Sequence, residues 1–318
     1  MEVQEIQKLG EKIRENISKV IIGKEDVIDL VIISLFCSGH ALLEDVPGVA
    51  KTLMAKCLAK SIECEFKRIQ FTPDLLPTDL TGINYYNQKT GEFVFRPGPI
   101  FANIVLGDEI NRATPRTQSS LLECMEECQV TIDGETRKLS RPFFVIATQN
   151  PIEIQGTFPL PEAQLDRFFM RLKIGYPSTE EGLMILDRFE KSNPFQEIGG
   201  VTTGNDVIDA QDSISNVKVS GDIKKYIVSI VETTRTHEKI ILGVSPRGSL
   251  ALMRASQAYA ALNGRDFATP DDVKHVAVPV LAHRIILKGH AVTSGMANSE
   301  ALISDILKKV PVPLESEE

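Results

Sequence analysis

Apolar residues follow a helical period at the start of the chain and then change to short continuous runs. The period over residues 5–20 predicts an amphipathic helix, and a second helix is predicted over 25–36. Runs typical of buried strands lie at 41–43, 65–71, 104–106, 143–148 and 168–174, with helical segments between most of them. Strands that alternate with helices indicate a parallel sheet covered on both faces. Residues 1–175 are therefore predicted to form an α/β domain.

Two segments of this domain carry the pattern of β-hairpins. Residues 83–87 and 93–95 flank a turn that contains Gly91, and residues 129–140 have Asp133-Gly134 at their centre. Both are predicted as inserts, near 83–96 and 129–140.

The strand pattern fades after about residue 176. Helical patterns follow at 180–190, 206–213, 222–234, 246–262 and 270–283. Ser245-Pro246 and Thr269-Pro270 each place a hydroxyl at the N-cap and proline at the first helical position. Residues 176–318 are predicted to form a smaller helical domain.

Composition narrows the class of protein. The 318 residues are 42% hydrophobic and 25% charged, which is typical of a globular chain, and the net charge of -8 disfavours non-specific coating of nucleic acid. The longest apolar run, 27–36, is too short to span a membrane and contains Asp29, and the polar N-terminus does not resemble a secretory signal. The five cysteines do not suggest a disulfide framework, so buried free thiols in the cytoplasm are expected.

The segment 45–52 between a strand and a helix is a candidate phosphate loop. Lys51 and Thr52 fit the pattern G-x-x-x-x-G-K-[ST] and Gly48 lies within it, whereas Asp45 and Ala50 occupy its two glycine positions. Backbone N–H groups at a helix N-terminus can bind phosphates, Lys51 would reach the β- and γ-phosphates, and Thr52 would bind Mg²⁺. The alternative is an ordinary strand–turn–helix connection.

Two further apolar runs end in polar side chains. The run before Asp108 and Glu109 delivers two carboxylates to the carboxyl end of a strand, where ligands bind in open α/β sheets. Asp108 would hold Mg²⁺ and Glu109 would polarise the attacking water. Asn150, after the run 143–148, is a candidate to orient that water, or simply caps a turn before Pro151.

Two arginines are candidates to contact phosphate. Arg167, next to Asp166, is a candidate arginine finger supplied by another subunit, with Arg171 as the fallback and an internal ion pair as the alternative. Arg247 lies in the first turn of a predicted helix, where the helix dipole disfavours a cation. An anion facing it, such as a γ-phosphate, would compensate.

Taken together and in order, these segments resemble the MoxR family of AAA+ ATPases. The matching segments are LLEDVPGVAKT (42–52), FTPDLLPTDLTG (71–82), GDEINRATPRTQSSLLECMEE (107–127), ATQNP (147–151), GTFPLPEAQLDR (156–167) and SPR (245–247). The resemblance implies a parallel five-stranded AAA+ sheet with helices on both faces, a smaller all-helical lid, and a hexameric ring with ATP and Mg²⁺ at subunit interfaces. It also implies that the two hairpins face the pore or the upper surface of the ring.

The resemblance implies the following roles: Walker A for Pro47, Gly48, Val49, Ala50, Lys51 and Thr52, Walker B for Asp108 and Glu109, sensor 1 for Asn150, the arginine finger for Arg167, sensor 2 for Arg247, and adenine packing for Ile21, Ile22 and Gly23. Lys51, Arg247 and a neighbour's Arg167 are expected to converge on one phosphate chain.

Two classes of function remain open. The family resemblance favours a chaperone-like ATPase that acts on proteins with von Willebrand factor A domains, in some cases for metal insertion; a metal-chelatase motor subunit is a close variant. The alternative is a nucleic-acid motor, which the net charge disfavours but which four hairpin cations, Lys89, Arg96, Arg137 and Lys138, would serve. A nucleotide-binding module without hydrolysis is a further alternative if Ala50 impairs the loop.

Overall fold

A computed structural model describes residues 1–150, 156–288 and 295–313, and a parallel sheet organises the first half of the chain. The strands of this half are β1 (Ala41–Glu44), β2 (Phe66–Gln70), β3 (Gly82–Asn87), β4 (Glu92–Pro97), β5 (Ile104–Asp108), β6 (Gln129–Ile132), β7 (Glu135–Lys138), β8 (Phe144–Gln149) and β9 (Met170–Leu172). Within the described residues, five of them pair in the order β2-β5-β8-β1-β9, and every pairing is parallel.

Helices cover both faces of this sheet. They are α1 (Val3–Ser18), α2 (Glu25–Phe36), α3 (Lys51–Ser61), α4 (Pro77–Thr81), α5 (Pro115–Glu127) and α6 (Glu162–Leu165). Neighbouring residues of a strand point to opposite faces, so Leu43 joins the apolar core with α1, α2 and α3, whereas Leu42 joins a second core with α5. The predicted α/β layer arrangement is confirmed.

The two predicted hairpins are present and contact each other. The antiparallel pairs are β3 with β4 and β6 with β7. The Asn84 side-chain amide donates to Asp133 Oδ2 at 2.8 Å, and the Arg137 guanidinium lies 4.1 Å from the centroid of the Phe95 ring. Arg137 also pairs with Glu135 at 2.5 Å, so this cation already has two partners.

The second half is helical, as predicted. Its helices are α7 (Thr179–Lys191), α8 (Pro194–Glu197), α9 (Gly204–Ser213), α10 (Gly221–Thr236), α11 (Pro246–Leu262), α12 (Pro270–Leu281) and α13 (Gly295–Lys309). A short antiparallel pair, β10 (Ile240–Leu242) with β11 (Ile286–Leu287), is an addition to the all-helical expectation. Helix α13 lies beyond the last helix that the sequence pattern predicted.

Helix α1 packs against the second half although it begins the chain. Its apolar face and helix α11 share one core, and a Cβ atom at Gly10 would lie 2.2 Å from the Leu262 side chain. The two helices therefore approach closely at Gly10. The boundary near residue 175 falls between Leu172, the end of β9, and Thr179, the start of α7, and stays a prediction.

All five cysteines are free thiols; Cys37, Cys57 and Cys124 are buried, whereas Cys64 is half-buried and Cys128 is exposed, so the expected burial is wrong for Cys128. Among the described residues, no helix has the length and apolarity needed to cross a membrane.

His40 joins three elements in the core just before β1. Its Nε2 lies 2.9 Å from the Met125 carbonyl oxygen at the end of α5, and its Nδ1 accepts from the Val145 backbone N–H of β8 at 3.0 Å. One ring nitrogen must donate and the other accept, so these partners fit the neutral imidazole. Burial lowers the pKa of His40 from 6.5 to about 4.

We therefore expect His40 to make stability depend on pH. Between pH 6.5 and pH 4, His40 is protonated in the unfolded chain but stays neutral in the folded chain. The free energy of unfolding therefore falls as the pH falls, by up to ~3 kcal/mol. Urea denaturation gives the free energy of unfolding of the wild type and of His40→Gln at pH 7 and at pH 4.5. The free energy should fall more between these pH values in the wild type than in His40→Gln, and the difference measures the contribution of His40. Equal pH dependence of the two proteins would contradict it.

Candidate nucleotide-binding site

The candidate phosphate loop follows β1 and leads directly into α3. Gly48 and Ala50 both have left-handed backbones, with φ of +88° and +64°, and a Cβ atom at Gly48 would have no neighbour within 4 Å. The backbone of the loop is therefore open to a ligand at Gly48, where N–H groups at a helix N-terminus attract anions.

Lys51 begins α3 and lies among carboxylates. Its Nζ donates to the Asp45 carbonyl oxygen at 2.7 Å. Burial lowers the pKa of Lys51, while the charges of Asp45, Asp108 and Glu109 act in the opposite direction. The structure thus brings the predicted phosphate lysine and both predicted carboxylates of β5 into one site.

Asp45 has a structural function that the motif comparison missed. Its Oδ2 accepts from the backbone N–H groups of Ile174 at 2.8 Å and Gly175 at 2.6 Å, and its Oδ1 accepts from Val46 N–H at 2.8 Å. The side chain that replaces a pattern glycine therefore fixes the loop to the segment after β9.

Asp108 ends β5 and is held from both neighbouring strands. Its Oδ1 accepts from the Thr148 hydroxyl of β8 at 2.6 Å, and its Oδ2 accepts from the Arg68 guanidinium of β2 at 2.6 Å. The Thr148 oxygen in turn accepts from the Glu109 backbone N–H at 2.8 Å. Thr148 thereby fixes the backbone at which both carboxylates emerge.

The Glu109 carboxylate is engaged by two side chains. It accepts from the Gln70 amide of β2 at 3.0 Å and pairs with Arg112 Nε at 3.1 Å. Glu109 itself has a left-handed backbone, with φ of +58°. This uncommon conformation for a residue with a side chain turns the chain sharply at the end of β5.

Asn150 follows β8, the strand between β5 and β1. Because the carboxyl ends of parallel strands meet at one edge, Asn150 lies at the same edge as Lys51 and Asp108. It is half-buried. Pro151, the last residue of the matching ATQNP segment, lies outside the described residues.

The segment expected to pack on adenine lies beside the start of α7. Ile21 and Ile22 are buried, and Gly23, with φ of +67°, approaches so closely that a Cβ there would lie 2.0 Å from Glu181 Oε1. Lys24 Nζ donates to the Tyr176 carbonyl oxygen at 3.1 Å. The segment is therefore adjacent to the connection that Asp45 holds.

The two candidate arginines lie at the opposite edge of the sheet. Arg167 precedes β9, and the Phe169 N–H donates to the carbonyl oxygen of His40, the residue before β1. Arg167 Nε lies 3.3 Å from Glu126 Oε2. A strand of four residues separates the two edges by about 13 Å, so Arg167 is far from Lys51 of its own chain.

Arg247 contacts the same carboxylate, since its guanidinium donates to Glu126 Oε1. In this structure Arg247 therefore lies with Arg167 and not beside Lys51 of its own chain, and its expected contact with phosphate stays a prediction. The anion that compensates the unfavourable helix dipole is Glu126. The alternative of an internal ion pair is also realised for Arg167.

Arg171 cannot replace Arg167. It lies within β9 with 11% of its side chain exposed, 3.6 Å from Glu44 Oε2. Burial raises the pKa of Glu44, against the lowering effect of Arg171. The pair is part of the sheet interior, not a surface group.

Magnesium fits the oxygen donors at the carboxyl edge. Thr52 is the second residue of α3, and Asp108 presents a carboxylate nearby; hydroxyl and carboxylate oxygens with substrate phosphates are the usual ligands of Mg²⁺. Among the described residues, no group of three or more His, Cys, Asp or Glu could hold a metal ion by itself.

Comparison with known proteins identifies the class. Residues 40–170 match the ATPase family associated with various cellular activities, and residues 232–306 match the AAA lid domain. A crystal structure of a candidate ATPase from Cytophaga hutchinsonii superposes with a TM-score of 0.90 at 40% identity, covering 98% of this chain and 97% of that chain. The fold is therefore an AAA+ core followed by a helical lid.

Full-length relatives identify the family. The chain is 40% identical to chaperone MoxR1 of Mycobacterium tuberculosis over 93% of this chain and 80% of the relative. It is 53% identical to YeaC, an uncharacterized protein of Bacillus subtilis, over 98% of this chain and 97% of the relative. The chain belongs to the MoxR family of AAA+ ATPases.

Several residues of the site were assigned no role from the sequence. Arg68, Gln70 and Arg112 hold the β5 carboxylates, and Glu126 holds the two arginines. Arg112, Glu126 and Thr148 lie in the family-matching segments 107–127 and 147–151, and Arg68 and Gln70 lie in the predicted strand 65–71, but no role was predicted for any of them. The register of β2 against β5, which pairs Gln70 with Asp108, is what could have identified Gln70.

Ala50 gives a direct test of the loop conformation. Its left-handed backbone costs ~1–2 kcal/mol for a residue with a Cβ atom and more for a β-branched one. We expect Ala50→Val to weaken nucleotide binding at least about tenfold because the backbone N–H groups shift, and Ala50→Gly to bind as well as the wild type. Titration with a fluorescent ATP analogue measures both. Equal affinity of the Val and Gly variants would contradict this account.

Proposed function

We propose that this chain hydrolyses ATP with Mg²⁺ as a hexameric ring and uses the cycle of hydrolysis to remodel partner proteins. The observation that carries the proposal is the separation of the site into two edges of one sheet. The phosphate loop and the β5 carboxylates lie at the carboxyl edge, and two arginines lie at the amino edge. A second copy of the chain would join the two halves.

The chain's own residues divide the work at the carboxyl edge. The N–H groups at the start of α3 and the Lys51 ammonium would bind the phosphates. Lys51 would then donate to a phosphate oxygen instead of the Asp45 carbonyl oxygen. Thr52 and Asp108 would hold Mg²⁺, which when bound neutralises charge on the phosphate oxygens. Asp108 would give up its contact with Arg68, an exposed partner.

Glu109 would orient and deprotonate the attacking water, with Asn150 beside it. In the structure its carboxylate is occupied by Gln70 and Arg112. Glu109 must leave these partners to reach a water at the phosphates. Since both contacts are single hydrogen bonds or half-exposed pairs, the rearrangement is small in energy.

Arg167 and Arg247 would act on the nucleotide of the adjacent copy. Both are one-third to one-half exposed and share Glu126, a surface carboxylate. A surface ion pair contributes little, so a triphosphate with higher charge can replace Glu126 at small cost. The two arginines would then stabilise charge on the transferred phosphoryl group.

Partner remodelling is supported by the named relative and by the hairpins. MoxR1 is named a chaperone, and the β3–β4 hairpin exposes Tyr85, Tyr86 and Phe93, which are suited to contact a protein. We propose a partner with a von Willebrand factor A domain, in some cases for metal insertion, and a cytoplasmic setting that keeps the thiols reduced. Nucleic acid is disfavoured by the net charge of -8 and by the internal partners of Arg137.

The catalytic assignment predicts that Glu109→Gln lowers the rate of ATP hydrolysis at least about a hundredfold while ATP still binds, because the general base is removed and the phosphate contacts remain. Phosphate release and nucleotide titration measure the two effects. Glu232→Gln, an exposed substitution on α10, is the control and should keep full activity. Phosphate release unchanged in Glu109→Gln would refute the assignment.

The two-edge arrangement predicts complementation between inactive variants. Arg167→Ala keeps its nucleotide site and Lys51→Ala keeps its arginines, so a mixture should regain ATPase activity that neither protein has alone. Arg247→Ala should behave like Arg167→Ala, whereas Arg141→Ala, which removes an exposed pair with Asp212, should stay active. No recovery at any ratio, with assembly intact by size-exclusion chromatography, would count against action between subunits.

A further inference from the structure

Arg284 ends the short 3-10 helix Ala282–Arg284 that follows α12, and it binds the segment that carries Arg167. Only 2% of its side chain is exposed. Its Nε donates to Asp166 Oδ1 at 2.7 Å, its Nη2 donates to the Phe168 carbonyl oxygen at 2.7 Å, and its Nη1 donates to the Phe169 carbonyl oxygen at 3.1 Å. Its Nη2 also lies 3.3 Å from the Asp166 carbonyl oxygen, so the guanidinium holds the backbone on both sides of Arg167.

The second oxygen of Asp166 holds the helix that carries Arg247. The Ser245 hydroxyl donates to Asp166 Oδ2 at 3.1 Å. Ser245 is the N-cap residue of α11, and Arg247 is the second residue of that helix. The carboxylate of Asp166, the residue next to Arg167, therefore connects the start of α11 with Arg284.

The segment that leads into the lid also binds the phosphate loop of its own chain. Asp45 binds the backbone N–H groups of Ile174 and Gly175, a few residues before α7. The chain on either side of β9 is thus held at two points, by Asp45 after the strand and through Asp166 before it.

We propose that Asp166, Ser245 and Arg284 are positioning residues, which fix Arg167 and Arg247 as one unit with the lid and present them to the nucleotide of the adjacent subunit. These three residues touch no nucleotide; they act through the two arginines. The inference rests on the proposed function, since it requires that the arginines act between subunits.

The test uses the mixture of two inactive variants, with the donor Lys51→Ala supplying arginines and the acceptor Arg167→Ala supplying nucleotide sites. Asp166→Asn is placed in either the donor or the acceptor. In the donor, it should lower the recovered activity about tenfold to a hundredfold, the range expected for a misplaced catalytic group. In the acceptor, it should leave the recovered activity unchanged, because the nucleotide of that subunit is served by the arginines of the donor.

Ser245→Ala is a second and milder variant, because it removes one hydrogen bond of a half-buried hydroxyl. In the donor it should lower the recovered activity by about threefold to tenfold. Ser220→Ala is the matched control: Ser220 is also an N-cap serine of a lid helix, bonded to Ile223 N–H, but it does not bind Asp166. Ser220→Ala should leave the recovered activity unchanged whether it is placed in the donor or in the acceptor.

Thermal melting and size-exclusion chromatography of each variant establish that folding and assembly are retained. Equal activity with and without Asp166→Asn in the donor would overturn the inference, and so would an equal loss in donor and acceptor, which indicates a general structural defect. No recovery in the starting mixture, with Asp166 intact, would overturn the proposed action between subunits and the inference with it.

Discussion

The common direction of the five strands determines where the chemistry of this chain lies. All carboxyl ends meet at one edge, and there the loop after β1 and the end of β5 bring Lys51, Asp108 and Glu109 together. All amino ends meet at the other edge, where Arg167 precedes β9. Because the length of β1 separates the two edges by about 13 Å, the two sets lie apart within one chain.

The strength of the contacts at the two edges differs according to their use. The pairs of Asp108 with Arg68, and of Glu126 with Arg167 and Arg247, involve partly exposed guanidinium groups and contribute ~0–1 kcal/mol each. In contrast, the Asp166–Arg284 pair is almost fully buried on its arginine side, and removal of one partner from such a pair costs ~3–5 kcal/mol. Groups that must exchange partners are held weakly, and the groups that position them are held strongly.

The sequence pattern predicted the layers of the fold and the carboxyl edge of the site, because both depend on local order along the chain. The strands β1, β5 and β8 are apolar runs, and each is followed directly by its polar residues. The strand pair β10–β11 was not predicted, because two or three residues are too few to show the period of two that is typical of a strand. Helix α13 has apolar positions at Leu302, Ile303 and Ile306 that fit a helical period, yet the prediction ended at residue 283.

The position of Arg247 could not be predicted in the same way. Its motif fixes the start of a helix but not the edge of the sheet that this helix approaches, which depends on contacts between residues about 80 and 120 positions apart in sequence. Similarly, Gln70 and Thr148 become part of the site only through the register of β2 and β8 against β5.

Ser245 shows how such a distant contact can override a local rule. Serine before proline at a helix start predicts a side chain that accepts from the backbone, which stabilises a helix by ~1 kcal/mol. In α11 the Ser245 hydroxyl makes no such bond and donates to Asp166 instead, whereas Thr269 of α12 forms the expected cap. Since an anionic acceptor gives a stronger hydrogen bond than a neutral one, the loss at the helix end is offset by a charge-assisted contact. The position of α11, and with it Arg247, is therefore set by the residue beside Arg167 and not by the capping preference of its own first turn.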